Sequence, residues 1–181
     1  MRQAVSPNGN GNANVNPRSI VCLCGSAGAL KEYLAILRRI RPDTNTAFVV
    51  ISHLSTKHKS HLVHILSGVT KMAVREAQNG MPLRPHEVVV IPPGMELALS
   101  DRHLQVLPRS KVFGWSNVAD LFLSSLARNY HAKRTAVILS GMGSNGSAAL
   151  HELKQSGGTI LVQRQFGLRL REFSADRILP R

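Results

Sequence analysis

Three short stretches hold residues that could do chemistry together. Ser26 lies in Cys24-Gly25-Ser26-Ala27-Gly28, directly after an apolar run. His53 follows Ala47-Phe-Val-Val-Ile-Ser52, another apolar run. Asn145 lies in Ser140-Gly-Met-Gly-Ser-Asn-Gly146, after Ala136-Val-Ile-Leu139 and before a helical pattern. Three glycines in that last stretch mark a sharp turn at a strand end. Such a turn leaves main-chain N–H groups free to face an oxyanion. A hydroxyl nucleophile needs a base within hydrogen-bond reach, and the base needs a third group to fix its tautomer. A serine, a histidine and an amide, each just after a strand, form a hydrolase constellation with one member changed. The plainer reading of Ser26 is that it caps the helix that follows, and for a lone serine there capping is favoured.

The elements around these residues alternate. Ser19 to Cys24 reads as a buried strand, and Leu30, Tyr33, Leu34, Leu37 and Ile40 recur at helical spacing through Lys31 to Arg41. Ala47 to Ser52 reads as a parallel strand covered on both faces. A helix is expected around Leu62, Ile65, Leu66 and Val69, then strands at Met72 to Glu76 and Glu87 to Ile91. Met95 to Leu99 and Leu104 to Leu107 alternate about Ser100-Asp101-Arg102, the pattern of a β-hairpin. A helix from Val118 carries Asp120. Arg134 to Ser140, a helix at Ser147 to Gln155 capped by Gly157-Gly158, and a last strand at Thr159 to Gln163 follow. The expected fold is α/β: a doubly wound, mostly parallel sheet with helices on both faces and a β-hairpin insertion. Sites in such sheets lie at the C-terminal strand ends, where the strand order reverses. Ser26, His53 and Asn145 all fall at such ends. Residues 1–17, rich in Asn, Gly and Pro, read as a disordered leader, 18–163 as the catalytic domain and 164–181 as an atypical basic tail without a clean period.

The 181 residues suffice for one domain with a real core, and 43% are hydrophobic. The net charge of +13 calls for an acidic partner. The cations are dispersed, with a cluster at Arg164, Arg169, Arg171, Arg177 and Arg181. No aromatic interleaving or nucleic-acid motif accompanies them, so nucleic acid is not the expected partner. No apolar run is long enough to span a bilayer. Cys22 and Cys24 alternate onto one strand face as buried thiols, the pattern of a cytoplasmic protein. His58, His61 and His64 drift around a helix instead of sharing a face, so no metal is expected. The glycine turn has no Lys after Gly146 and is not a phosphate-binding P-loop.

Residues 19–163 resemble the catalytic domain of the chemotaxis protein-glutamate methylesterases, most of all the version fused to chemotaxis methyltransferases. The carrying stretches are Cys24 to Leu30, Phe48 to Ser60, Asn79 to Leu83, Val90 to Gly94, Val118 to Phe122, Ser140 to Gly146 and Gly157 to Gln163. The resemblance implies Ser26 as nucleophile, His53 as general base and Asn145 in the place of the family's aspartate. It implies backbone amides near Ala27 and Met142 as the oxyanion hole. The implied reaction is hydrolysis of glutamyl methyl esters on chemotaxis receptors, with deamidation of glutamines as a companion activity and no cofactor. The implied partners are methylated receptors, which are acidic and helical, and a methyltransferase or response regulator within a phosphorelay.

Three departures shape the expectation. Asparagine at 145 removes the charge that stabilises an imidazolium; in serine proteases that change lowers turnover about ten-thousandfold. Asp120 is a carboxylate that could stand in. Ala27 and Ala29 replace the family's threonine and second glycine, and Arg164-Gln-Phe-Gly replaces its Met-Pro-Arg segment. No receiver domain is expected to regulate the site from within the chain. The expected protein is a serine esterase of reduced activity. The alternative is an inactive module of the same fold that binds acidic receptor helices.

Overall fold

A computed structural model describes residues 16–52, 61–109, 116–139, 147–163 and 170–172. Strand β1 (Ser19–Gly25) is central and pairs in parallel with β2 (Thr46–Ser52) on one side and β7 (Lys133–Ile138) on the other. Beyond β2 lie β4 (Glu87–Val90) and β3 (Ala73–Glu76), and beyond β7 lie β8 (Thr159–Gln163) and β9 (Leu170–Glu172). The order is β3-β4-β2-β1-β7-β8-β9, with only β9 antiparallel among them. From β1 the chain first builds outward through β2 and later outward through β7 and β8. The strand order therefore reverses about β1, and the crevice at its C-terminal end is the switch point of the sheet.

Period-two alternation along the buried strands divides the core into two layers. Leu23, Phe48, Val50, Val88, Val90 and Val137 face one side, against Tyr33 and Leu37 of α1 (Leu30–Leu37) and Leu62 and Leu66 of α2 (Leu62–Ser67). Cys22, Cys24, Val49, Ile51, Val89, Ala136 and Ile138 face the other, against α3 (Ser116–Asn129), α4 (Ser147–Gln155) and the hairpin of β5 (Met95–Ser100) and β6 (His103–Pro108). Right-handed crossovers require this arrangement. The helices between strands laid down in one direction cover one face, and those laid down in the other direction cover the opposite face. The doubly wound fold with a hairpin insertion is thus the observed one.

The hairpin closes through Asp101 and Arg102, both with positive φ (44° and 65°), so that two residues turn the chain while following the strand twist. Helix α4 ends in a Schellman motif. Gly157 takes φ 87°, its N–H bonds Lys154 O at 3.0 Å, and the Gly158 N–H bonds Leu153 O at 2.8 Å.

Some expectations change. Helix α1 stops at Leu37 instead of running to Arg41. The strand at 159–163 is not the last, because Leu170–Glu172 of the basic tail adds β9 along β8. Backbone pairing needs no apolar period, so a three-residue edge strand left no pattern to read. Pro17 does not belong with the leader: it is buried and its carbonyl accepts a hydrogen bond from the Tyr130 hydroxyl.

Candidate functional site

Register brings the site together from three neighbouring strands. Gly25 of β1 is level with Ser52 of β2, and Cys24 is level with Ile138 of β7. The Leu139 N–H then bonds Cys24 O at 2.8 Å. The chain therefore leaves the sheet at Ser26, after Ser52 and after Leu139 along one edge. Parallel pairing of adjacent strands is what sets sequence positions 26, 52 and 139 side by side.

Ser26 continues the extended backbone of β1, with φ −79° and ψ 177°, and is partly exposed. Its Oγ accepts the Gly28 N–H at 3.0 Å, and its carbonyl accepts the Ala29 N–H at 3.0 Å. The capping reading of Ser26 is thus realised on a short 3-10 turn over Ala27–Ala29. The cap does not compete with nucleophilic use. A hydroxyl has two acceptor lone pairs and one proton, and the bond from Gly28 leaves that proton to donate. Ala27 is the first residue of the 3-10 turn, a position whose N–H has no acceptor inside the turn. His53, Met142 and Asn145 lie outside the described residues, as does His58.

A floor beneath Ser26 holds the strand ends in place. A Cβ at Gly25 would lie 2.6 Å from Ala29 Cβ and 2.8 Å from the Tyr33 hydroxyl, so only glycine allows the turn to fold back on β1. The Tyr33 hydroxyl donates to Ile51 O at 3.3 Å, next in sequence to the buried Ser52. Burial drives the Tyr33 phenol far above its ordinary pKa, so it stays a neutral donor. Tyr33 reads in the sequence as one more apolar position of α1; its link to the end of β2 exists only once β1 and β2 are paired. Glu32, in the first turn of the same helix, accepts from Gln163 Nε2 at 3.3 Å and has its other oxygen buried without a partner among the described residues.

Two further expectations concern thiols and metals. Cys22 and Cys24 share one strand face as free, fully buried thiols with Sγ atoms 3.2 Å apart. Burial is the main cause that pushes the Cys22 thiol up, with Cys24 beside it adding to the effect. These sulfurs face the α3 side, whereas α2 packs on the opposite face with His61 and His64 exposed. The sheet itself therefore separates the cysteines from these histidines. Among the described residues no group of three or more His, Cys, Asp or Glu is placed to hold a metal ion. No helix among them is long and apolar enough to cross a membrane.

In an open α/β sheet the strand ends at the switch point are where ligands bind, and the capped Ser26 stands there. Comparison with known proteins narrows this. The family described as CheB methylesterase matches residues 21–167, and the chain belongs to that family. A protein-glutamate methylesterase/protein-glutamine glutaminase of Anaeromyxobacter dehalogenans is 32% identical over 171 residues, covering 89% of this chain and 50% of that protein. A relative of the same description from Rhizobium meliloti is 29% identical over 148 residues, covering 81% of this chain and 42% of its own length. The chain thus spans about half the length of the curated relatives it matches. The crystal structure of the Thermotoga maritima CheB methylesterase catalytic domain superposes with a TM-score of 0.74 at 24% identity, covering 81% of this chain and 80% of that one. That likeness establishes the fold.

Proposed function

We propose that the chain hydrolyses glutamyl methyl esters of chemotaxis receptors, with Ser26 as nucleophile, His53 as general base and Asn145 as the third member. The observation that carries this reading is Ser26 itself: partly exposed, held by the Gly28 N–H, with its proton free, at the point where the strand order reverses. The Ser26 oxygen attacks the ester carbonyl while its proton passes to the imidazole of His53. The resulting oxyanion is held by the amides of Ala27 and Met142. The tetrahedral adduct collapses, the carbon–methoxy bond breaks, and the imidazolium returns the proton to the leaving oxygen as methanol. Water, deprotonated by the same base, cleaves the acyl-enzyme and releases a glutamate carboxylate with Ser26 restored. A glutamine side chain follows the same course with ammonia leaving. No step calls for a cofactor.

Asn145 can orient the imidazole but brings no charge to it, so the activity is reduced. The basic surface suits acidic receptor helices, in a cytoplasmic setting with a methyltransferase or response regulator as further partner. The catalytic unit spans 18–163, and the basic segment 164–181 adds an edge strand to it.

The second reading, a domain that binds receptor helices without cutting them, is favoured by the same asparagine. Methanol release from a methylated receptor fragment separates the two. The wild type should release methanol slowly, Ser26→Ala none, and Asn145→Asp faster by orders of magnitude. Absence of release from all three would leave the binding module standing and the esterase refuted.

A further inference from the structure

The parallel strands all start along one edge of the sheet, opposite the edge that carries Ser26. Lys133 opens β7 level with Ser19, and Arg18 directly precedes Ser19. The Arg18 N–H is tied to Asn45 O at 3.0 Å, just before β2. On the other side of β2 the His86 N–H bonds Thr46 O at 3.0 Å, and Arg84 lies two residues earlier on the way into β4. Lys71 stands two residues before β3. The hairpin turn reaches the same edge. Arg102 O accepts the Leu83 N–H at 3.3 Å. On its other side Arg102 approaches Tyr130, whose hydroxyl bonds Pro17 O: burial raises that hydroxyl's pKa, and the Arg102 charge works the other way.

Arg18, Lys71, Arg84, Arg102 and Lys133 are exposed, and none forms an ion pair among the described residues. The acids nearby do little to balance them. Arg41 engages Asp43 at 2.8 Å, and Glu87 is buried against Arg75, which leaves Asp101 in the hairpin turn. Cations favour helix C-termini, and that accounts for Arg38 and Arg39, where α1 ends on this edge. It does not account for the row itself. Arg18, Arg84 and Arg102 follow no helix, and Lys71 and Lys133 each come four residues after one ends, beyond its last turn. Like charges gathered this way repel one another, a cost that no contact within the described residues offsets.

We propose that this edge is a docking surface for a helix of an acidic protein, separate from the edge that carries Ser26. From β7 to β3 the row crosses four strand spacings, about 19 Å, the length of roughly 13 helical residues. Carboxylates one turn apart along a helix therefore meet successive cations of the row. A lipid surface matches less well. The exposed large apolar side chains among the described residues are Ile65 in α2 and Leu107 near the far end of β6, so they give this edge nothing to insert. Nucleic acid matches less well too, because the Tyr130 ring at this edge is buried and offers no base a stacking face. The seven residues of β1 hold the two edges about 23 Å apart, so the helix that docks is not the one whose ester meets Ser26. Taking the acidic helix to belong to a chemotaxis receptor rests on the hydrolase reading above. Docking on one helix then raises the local concentration of esters on its neighbours.

The test measures binding of a methylated receptor fragment to the intact chain by calorimetry, at low and at moderate salt. Wild type is compared with Ser26→Ala, with Lys31→Gln, an exposed cation of α1 close to Ser26, and with a variant combining Arg18→Gln, Arg84→Gln, Arg102→Gln and Lys133→Gln. The fourfold variant should bind at least about tenfold more weakly, with a flatter salt dependence. Ser26→Ala and Lys31→Gln should bind as wild type does. The double variant Arg102→Gln with Lys133→Gln should show a smaller loss in the same direction, and it carries the test should the fourfold variant fail to fold. Edge variants that bind as wild type overturn the inference, as does an equal loss in Lys31→Gln or a wild type that does not bind the fragment. Edge-dependent binding of phosphatidylglycerol vesicles or duplex DNA, with binding of the fragment indifferent to the edge, overturns the protein partner. Edge-dependent binding of the fragment by a protein that never releases methanol refutes the esterase reading and leaves the docking surface in place.

Discussion

The two ends of the sheet treat buried polar groups in opposite ways. At the N-terminal end every described one is answered. Arg134, 6% exposed, donates to the carbonyls of Tyr130 at 2.6 Å and Ala132 at 3.1 Å and to Ser156 Oγ at 3.3 Å. Glu87, 2% exposed, pairs with Arg75 and accepts the Arg84 N–H at 2.8 Å. Tyr130 bonds Pro17. At the C-terminal end Glu32 Oε2 and Asp120 Oδ1 are buried without partners among the described residues, and Ser26 keeps a proton to give. An unmade bond in the interior costs more than a made one gains. Stability is therefore concentrated at one end, and the groups that forgo it gather at the other, where chemistry needs unsatisfied charge and donors.

Substitutions at the two ends should separate accordingly. Ser26→Ala should reduce methanol release by about a thousandfold or more while lowering the unfolding free energy by no more than about 1 kcal/mol, the worth of its cap. A large loss of stability instead would make Ser26 a structural residue and erase the contrast. Arg134→Met should do the reverse. It orphans two carbonyls and should cost about 2–4 kcal/mol in urea denaturation, with turnover per folded molecule retained. Gly25→Ala should show both losses, because its Cβ collides with the floor beneath Ser26: about 1–3 kcal/mol together with a clear drop in kcat.

The smallest effect is the most diagnostic. Burial raises the Asp120 carboxyl in the folded chain above its unfolded value, so ionisation disfavours folding. Its contribution is neutral at pH below the ordinary carboxylate value. It turns against stability as pH rises through the window up to the raised value. Denaturant midpoints of Asp120→Asn should match wild type near pH 3 and exceed it slightly near pH 7. An Asn variant less stable at neutral pH would mean that the carboxylate has a bonding partner and that the two ends are less different than they look.

Much of this was legible before any coordinates. The apolar runs at 19–24 and 47–52 could only be strands buried on both faces, and Leu30, Tyr33 and Leu37 could only line a helix against them. The hairpin was legible too, since alternation on both sides of Asp101-Arg102 has one reading. The tail strand Leu170–Glu172 was not, because main-chain pairing at a sheet edge leaves no mark on side-chain pattern. Nor was the place of Pro17, which is tied down by a tyrosine 113 residues away.

The candidate site divides in the same manner. The sequence by itself determined that a serine, a histidine and a glycine turn follow three strands, because strand and turn propensities are local. It also determined that no carboxylate stands at 145. Tertiary structure alone decided that positions 26, 52 and 139 meet at one edge, since that depends on strand order and register. It decided that Tyr33 braces the end of β2 from α1. It decided too that Asp120, an unremarkable residue in a helix, has an oxygen buried without a partner among the described residues. Such relations are set by which elements pack together and in which direction, and no spacing along the chain encodes them.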